Sequence, residues 1–224
     1  MFTENPNLIH LGEKAFVYKN FIPKELIEKI NNFYDIQERE EFNSEKSPIE
    51  WYKDKSSPSN PDFVEVWNLV SEFLSPDYVI HPTLSVQIME PGDEPMFIHA
   101  DSPGEGNHHL LTSKDIWSTC SILSWGVVAY FGDFEGGEIF YPQFDIEYSV
   151  QPGDIVIHSA VSPWEHGVKH VSKGRRYAYS MFALETNKNP GSFYNYGTQE
   201  CKDAQEDPWK WNKPLFDNPQ FKDI

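Results

Sequence analysis

The sequence has 224 residues and a formal net charge of −17 at pH 7, and 15% of its residues are aromatic. These values suit one folded domain with a sizeable core and exclude a disordered composition. Nucleic-acid-binding proteins carry basic patches, so the strong acidity predicts no nucleic-acid partner and leaves peptides and small molecules open. The sequence shows neither a long apolar run nor a signal-peptide pattern, which predicts a cytoplasmic protein without a membrane partner.

The first 82 residues are predicted to form a supporting layer. A short strand at 15–18 precedes an amphipathic helix at about 24–35, where apolar residues recur at helical spacing. The polar, proline-containing stretch 36–60 predicts a long loop. An Asn-Pro pair then marks the start of a second helix at 61–74. We interpret both helices as structural braces on the outside of a sheet.

From Thr83 the hydrophobic pattern changes to a period of two, as is typical of strands. Strands are predicted at 84–89, 121–131, 138–141, 146–150, 154–158, 168–171 and 175–185. Many short strands with turn signals between them indicate an all-β sandwich or barrel. The long loop 102–118 is interpreted as a lid or substrate-binding element. The region 186–224 is interpreted as a tail that packs on the body through its aromatic residues.

His99 and Asp101 form a His-x-Asp pair at the end of a predicted extended run. Side chains alternate between the two faces of a strand, so these two point to the same side. An imidazole nitrogen and a carboxylate oxygen that converge in this way suit a divalent metal with mixed ligands. A second, distant histidine would complete a facial triad, which leaves three adjacent positions open on non-haem Fe(II).

His166 is the candidate for the third ligand, because Gly-Val follows it directly and an arginine lies ten positions further on. His170, four residues beyond, is the alternative. His158 could lie near the metal, but its position at the end of a predicted strand favours a structural role. The adjacent pair His108 and His109 is interpreted as part of the lid.

Further motifs accompany these residues in a fixed order. They are Tyr130-Phe131-Gly132, Gly136-Gly137-Glu138, Pro152-Gly153-Asp154, His166-Gly167-Val168 and Arg176-Tyr177. Together with the His-x-Asp pair, this set resembles the Fe(II)- and 2-oxoglutarate-dependent dioxygenases of the prolyl 4-hydroxylase type, over about residues 84–184. The resemblance implies a mainly β fold with flanking helices. Its core, residues 83–185, would be a double-stranded β-helix (a cupin-like jelly roll) braced by the N-terminal helices of residues 1–82. The whole chain, 1–224, would then be a single dioxygenase domain.

The resemblance also implies the cofactors and the residues that bind them. Fe(II), 2-oxoglutarate and O2 would be required, with ascorbate as a further possible cofactor. Arg176 would bind the distal carboxylate of 2-oxoglutarate, since a guanidinium offers a planar fork that matches a carboxylate. Tyr130 would offer its hydroxyl to the same carboxylate. The neighbouring Arg175 should point to the opposite face and be solvated.

One residue departs from the family pattern. The family often has a tyrosine three residues before the glycine of the turn that precedes His-x-Asp, whereas this sequence has Met89 before Gly92. The predicted activity is hydroxylation of a prolyl residue in a peptide or protein, with release of succinate and CO2. The alternatives are hydroxylation of a free amino acid or small metabolite, a non-catalytic jelly-roll binding module, and a zinc hydrolase that would use Glu165 as its acid or base.

Overall fold

The computed structural model describes residues 6–35, 61–74, 78–80, 85–101 and 125–185. The two helices in these ranges are α1 (Lys24–Asp35) and α2 (Pro61–Leu74). The strands are β1 (Leu8–Gly12), β2 (Ala15–Tyr18), β3 (Tyr78–Ile80), β4 (Ser85–Met89), β5 (Met96–His99), β6 (Trp125–Gly136), β7 (Ile139–Tyr141), β8 (Ile146–Tyr148), β9 (Ile155–Ser159), β10 (His166–Val168) and β11 (Val171–Glu185). The predicted loops at 36–60 and 102–118 and the tail at 186–224 lie outside the described residues.

These strands form two antiparallel sheets. The larger sheet has the order β1-β2-β9-β6-β11, and both β3 and β4 pair with the free side of β11. The smaller sheet has the order β5-β10-β7-β8. Residues from both sheets meet in one apolar cluster, which includes Val17, Tyr130, Ile139 and Ala178. The arrangement confirms the predicted jelly-roll core.

The two helices cover the outer face of the larger sheet, as predicted. The side chains of Leu26, Ile30 and Tyr34 on α1 are buried in a cluster that also contains residues of β6, β9 and β11. The ring of Tyr34 stacks on that of Tyr177, with centroids 4.8 Å apart. None of the helices within the described ranges is long and apolar enough to cross a bilayer.

The strands β6 and β11 form the longest pairing in the described chain, and they run further than the sequence pattern predicted. Gly132 (φ +99°) and Gly174 (φ +73°) lie inside these strands in conformations that L side chains rarely adopt. An added Cβ would lie 2.1 Å from the Arg175 carbonyl oxygen at Gly132 and 1.9 Å from the Asp133 oxygen at Gly174. These glycines, which lie just outside the strands predicted at 121–131 and 175–185, therefore allow a close backbone approach and let the hairpin continue.

The sequence analysis also missed two strands and misplaced one. The strands β1 and β3 were not predicted. The strand predicted at 168–171 is wrong, because the chain leaves one sheet at Val168 and enters the other at Val171. The two residues between them, Lys169 and His170, are exposed.

Candidate active site

His99, Asp101 and His166 come together where strands β5 and β10 pair. His99 is the last residue of β5 and lies opposite His166, the first residue of β10. Asp101 follows β5, and its Oδ1 atom lies 3.6 Å from His99 Nε2 and 3.9 Å from His166 Nε2. One ligand atom from each of the three residues lies within 4.8 Å of the other two. The predicted facial set is therefore assembled at one point.

Backbone carbonyls orient both imidazole rings towards that point. The Nδ1 atom of His99 lies 2.9 Å from the carbonyl oxygen of Phe97, and Nδ1 of His166 lies 3.4 Å from that of Trp164. If each Nδ1–H donates to its carbonyl, each Nε2 keeps a free lone pair. Two imidazole nitrogens and a carboxylate oxygen are the donors of a facial Fe(II) site. The residues therefore fit Fe(II), and also other divalent ions that accept mixed ligands.

The electrostatics of the three residues favour a deprotonated Asp101. Burial acts to raise the pKa of Asp101, but the hydrogen bond from His99 and the nearby histidines outweigh it, so that pKa is lowered. Burial also acts to lower the pKa of His99, but Asp101 and the Phe97 carbonyl raise it overall. Burial lowers the pKa of His166. A carboxylate between imidazoles is the ionisation state that metal binding requires.

The three residues line a cavity, and Arg176 lines it as well. Arg176 is only 1% exposed. Its guanidinium carbon lies 4.9 Å from the centre of the Tyr130 ring, and its Nη1 atom lies 3.7 Å from Met89 Sδ. Burial lowers the pKa of Arg176 and raises the pKa of Tyr130 to about 12, although the charge of Arg176 opposes the latter. The guanidinium of Arg176 and the phenol of Tyr130 therefore lie next to each other as buried polar groups in the cavity wall.

The Arg176 guanidinium has no carboxylate partner among the described residues. Its Nε atom is buried and makes no hydrogen bond. A buried charge without a counter-charge is costly, so this site suits an anionic ligand. The cavity wall also includes His99, Asp101 and His166. A 2-oxoglutarate molecule, with a metal-chelating keto acid at one end and a carboxylate at the other, fits this set of residues.

Arg175 points to the opposite face of β11, as alternation predicted. It pairs with Glu90 through a short ion pair and donates a hydrogen bond of 3.3 Å to the carbonyl oxygen of Tyr34. The Arg175 side chain is 30% exposed. The expectation of a fully solvated Arg175 is therefore wrong, since the side chain links β4 to α1.

Other candidates from the sequence lie elsewhere. His170 is exposed, and its Nδ1 atom contacts the carbonyl oxygen of Asp93 at 3.0 Å, away from the triad. Glu165, the acid or base of the hydrolase alternative, does not line the cavity. His108 and His109 lie outside the described residues.

His158, for which the sequence favoured a structural role at a strand end, lies directly behind the triad. It is 0% exposed, and its Nε2 atom lies 3.6 Å from Asp101 Oδ2. Burial, together with the nearby His166, lowers the pKa of His158 to about 3. The signal was the alternation along β9, which places His158 on the same inward face as Val156. The pattern alone could not show that Asp101 lies opposite.

No protein-family model matches the sequence, and no curated protein is significantly similar to it. The structure does resemble solved structures. The viral collagen prolyl hydroxylase of Paramecium Bursaria Chlorella virus-1, in its 2-oxoglutarate complex, has a TM-score of 0.55 at 14% identity, covering 77% of this chain and 96% of that chain.

Two further structures have the same fold. A Trichoplax adhaerens prolyl hydroxylase in complex with a hypoxia-inducible-factor peptide has a TM-score of 0.53 at 12% identity, covering 79% of this chain and 86% of that chain. NgTET1 in complex with 5mC DNA has a TM-score of 0.52 at 16% identity, covering 86% and 80%. These likenesses confirm the jelly-roll fold implied by the sequence motifs.

Proposed function

We propose that this chain is a single-domain Fe(II)- and 2-oxoglutarate-dependent dioxygenase spanning residues 1–224. In this proposal His99, Asp101 and His166 are the metal ligands, and Arg176 with Tyr130 binds the distal carboxylate of 2-oxoglutarate. One observation carries the proposal. A cluster of three metal-ligand atoms within 4.8 Å of one another shares a cavity with a buried guanidinium that lacks a carboxylate partner among the described residues.

Bound Fe(II) supplies the activation of O2, which couples decarboxylation of 2-oxoglutarate to hydroxylation of a C–H bond. One oxygen atom enters the substrate as a hydroxyl group and the other enters succinate, while CO2 is released. His99, Asp101 and His166 would hold the metal, and a set of three protein ligands would leave positions for the keto acid and O2. Arg176 would orient the keto acid, and the apolar side chains in the cavity wall, among them Met96, Val128 and Ile139, would limit the access of water to the reacting centre. No side chain is required as a general acid or base.

The proposed substrate is a prolyl residue in a peptide or protein. Support comes from the sequence motifs and from two structural neighbours whose names describe prolyl hydroxylases. The neighbour NgTET1 is bound to DNA, but the net charge of −17 in this chain disfavours a polyanionic substrate. A free amino acid or small metabolite is the second candidate. Met89, in the place of a family tyrosine, contacts Arg176 and so changes the co-substrate end of the site, which both candidates share.

A binding module without catalysis is disfavoured by the polar residues of the cavity. Arg176 is buried without a carboxylate partner among the described residues, and His166 is buried beside Asp101 in the same cavity. Burying such groups destabilises a fold, and a module that binds through its surface gains nothing from them. Metal and keto-acid binding would offset this cost.

The proposal is tested by incubating the full chain with Fe(II), 2-oxoglutarate and ascorbate in air, together with proline-containing peptides or free amino acids. We expect a substrate mass gain of one oxygen atom with an equal amount of succinate. The Asp101→Ala variant is the matched control and should form neither product. If succinate formed with a free amino acid and with none of the peptides, the second candidate would replace the prolyl assignment. Metal binding without any 2-oxoglutarate turnover would contradict the proposed class.

A further inference from the structure

His158 is a fourth imidazole next to the proposed metal centre, and the mechanism described above does not use it. Its ring makes an edge contact with that of His166, with centroids 4.1 Å apart. It does not line the cavity, and its side chain is fully buried behind Asp101. Neither ring nitrogen has a hydrogen-bond partner among the described residues. A buried N–H without a hydrogen-bond partner is costly, so the His158 imidazole needs an acceptor.

The acceptor within reach is the second oxygen of Asp101. The two carboxylate oxygens have different neighbours, because Oδ1 faces His99 and His166 whereas Oδ2 lies 3.6 Å from His158 Nε2. A movement of roughly half an ångström brings that pair to hydrogen-bond distance. A neutral imidazole has one N–H to donate, and a carboxylate oxygen is a strong acceptor.

We propose that His158 is a positioning residue that donates its Nε2–H to Asp101 Oδ2 and thereby holds Asp101 as a one-oxygen metal ligand. This inference rests on the proposed metal centre. A carboxylate that bound the metal through both oxygens would occupy one of the three positions that the keto acid and O2 need. Engaging Oδ2 in a hydrogen bond keeps that position open and fixes the direction of Oδ1.

Gly126 on β6 supports this arrangement from the other side. A Cβ atom at this position would lie 2.5 Å from Asp101 Oδ2 and 2.6 Å from His158 Nε2. Any side chain there would separate the two groups. Strand β6 therefore has no side chain at the point where the Asp101 carboxylate and the His158 imidazole must meet.

The test compares His158→Phe, which keeps a ring of similar size without a donor, with His158→Gln, which keeps an N–H at a similar reach. The full chain is titrated with Co(II) alone, and both the dissociation constant and the ligand-field absorption spectrum are recorded. We expect His158→Phe to weaken Co(II) binding by about 10- to 100-fold and to alter the spectrum. His158→Gln should stay within about 10-fold of the wild type. Melting temperatures without metal report the folding of each variant.

Gly126→Ala is an independent variant, because its methyl group would push the same two atoms apart. We expect weaker Co(II) binding there as well, with both imidazole and carboxylate still present. Wild-type affinity and an unchanged spectrum in His158→Phe would overturn the inference and leave the metal centre intact. Equal and complete loss in the Phe and Gln variants would make His158 a fourth metal ligand and would also overturn it. Failure of the wild-type chain to bind Co(II) or Fe(II) would instead refute the proposed function, and the inference with it.

Discussion

The two ends of the cavity are built from different kinds of structure. The metal end is built from the ends of short strands. Strand β5 has four residues and β10 has three, and Asp101 lies two residues beyond the end of β5. The arginine end uses the middle of the long pairing between β6 and β11, where Arg176 lies opposite Gly132. His99 keeps a quarter of its side chain exposed, whereas Arg176 is 1% exposed.

The two ends of the cavity therefore obtain their side-chain geometry from different interactions. The arginine end is held by a continuous ladder of backbone hydrogen bonds, so its side-chain directions follow from strand alternation. The metal end depends on a tertiary pairing that places His99 beside His166 across a large separation in sequence. We therefore expect changes at the metal end to affect ligand binding with little loss of stability. Changes at the arginine end should affect both.

The largest effect should follow from removal of a triad residue. His99→Ala, Asp101→Ala and His166→Ala should each abolish tight Fe(II) binding and turnover, because two ligands cannot hold a facial site. Anaerobic Fe(II) titration and a succinate assay measure the two effects. The melting temperature without metal should stay close to the wild-type value, since these residues lie at strand ends.

His170→Ala is the matched control for the triad. Its imidazole contacts the Asp93 carbonyl on the exposed surface, so metal binding should change little. Loss of metal in His170→Ala as complete as that in His166→Ala would show that the third ligand has been misassigned. A large drop in melting temperature in the triad variants would contradict the expectation that the metal end contributes little to stability.

The second effect concerns Arg176, whose loss would leave the 2-oxoglutarate carboxylate buried without a counter-charge. Such a loss costs about 2–5 kcal/mol, or roughly 30-fold to several thousand-fold in affinity. Arg176→Ala should therefore raise the 2-oxoglutarate concentration needed for uncoupled succinate formation by that factor. Arg176→Lys should be intermediate, because an ammonium keeps the charge without the planar fork.

Arg175→Ala is the control on the opposite face of the same strand. It removes a partly exposed ion pair with Glu90, which is worth about 1 kcal/mol or less of stability, and should leave the 2-oxoglutarate requirement unchanged. If Arg175→Ala proved the more damaging variant for 2-oxoglutarate, the register of β11 would be inverted. If neither variant mattered, a metal site without 2-oxoglutarate would become the better explanation.

The same contrast explains what the sequence could predict. Alternation from Arg175 to Ser180 assigned the inward face correctly, with Arg176 in the cavity and Tyr177 and Tyr179 packed under the helices. The i, i+2 spacing of His99 and Asp101 predicted their convergence. Both predictions use geometry that is local to one strand or its end, and local geometry is what a periodic pattern encodes.

The features that could not be predicted are tertiary or depend on backbone conformation. His158 has the inward position of an ordinary strand residue, and only the fold places Asp101 opposite it. The predicted strands ended beside Gly132 and Gly174, because a sequence does not reveal which glycines serve a close approach between two strands. The predicted strand at 168–171 was wrong for a related reason. Its apolar ends belong to different sheets, and the intervening pair is exposed.

A third, smaller effect tests how tightly the arginine end is packed. A Cβ atom on Gly137 would lie 2.8 Å from Arg176 Cδ, and Gly137 has φ +69°. Gly137→Ala should displace the guanidinium and raise the 2-oxoglutarate requirement by roughly 10-fold, since small displacements of a binding group are costly. The strained backbone should also cost about 1–2 kcal/mol of stability.

Gly92→Ala separates strain from displacement. Gly92 has φ +98°, but an added Cβ would meet no atom within 4 Å. We expect a similar fall in melting temperature for the two alanine variants and a changed 2-oxoglutarate requirement in Gly137→Ala alone. Equal effects on 2-oxoglutarate would mean that global strain, and not the position of Arg176, sets the affinity.

The smallest effect should follow from Met89→Leu, which removes the sulfur that accepts a hydrogen from Arg176 Nη1 at 3.7 Å. Met89 is fully buried, and leucine is close to it in volume, so packing should change little. The loss of one weak acceptor should change the 2-oxoglutarate requirement by about 2- to 10-fold. Met96→Leu is the comparison, because Met96 is buried in the same apolar cluster and lines the cavity from β5, while its sulfur is not that acceptor. Uncoupled succinate formation against 2-oxoglutarate concentration measures both variants. If the two substitutions shifted this requirement equally, the sulfur contact would have no role of its own in orienting Arg176. The arginine end would then depend on the β6–β11 ladder and Tyr130 alone.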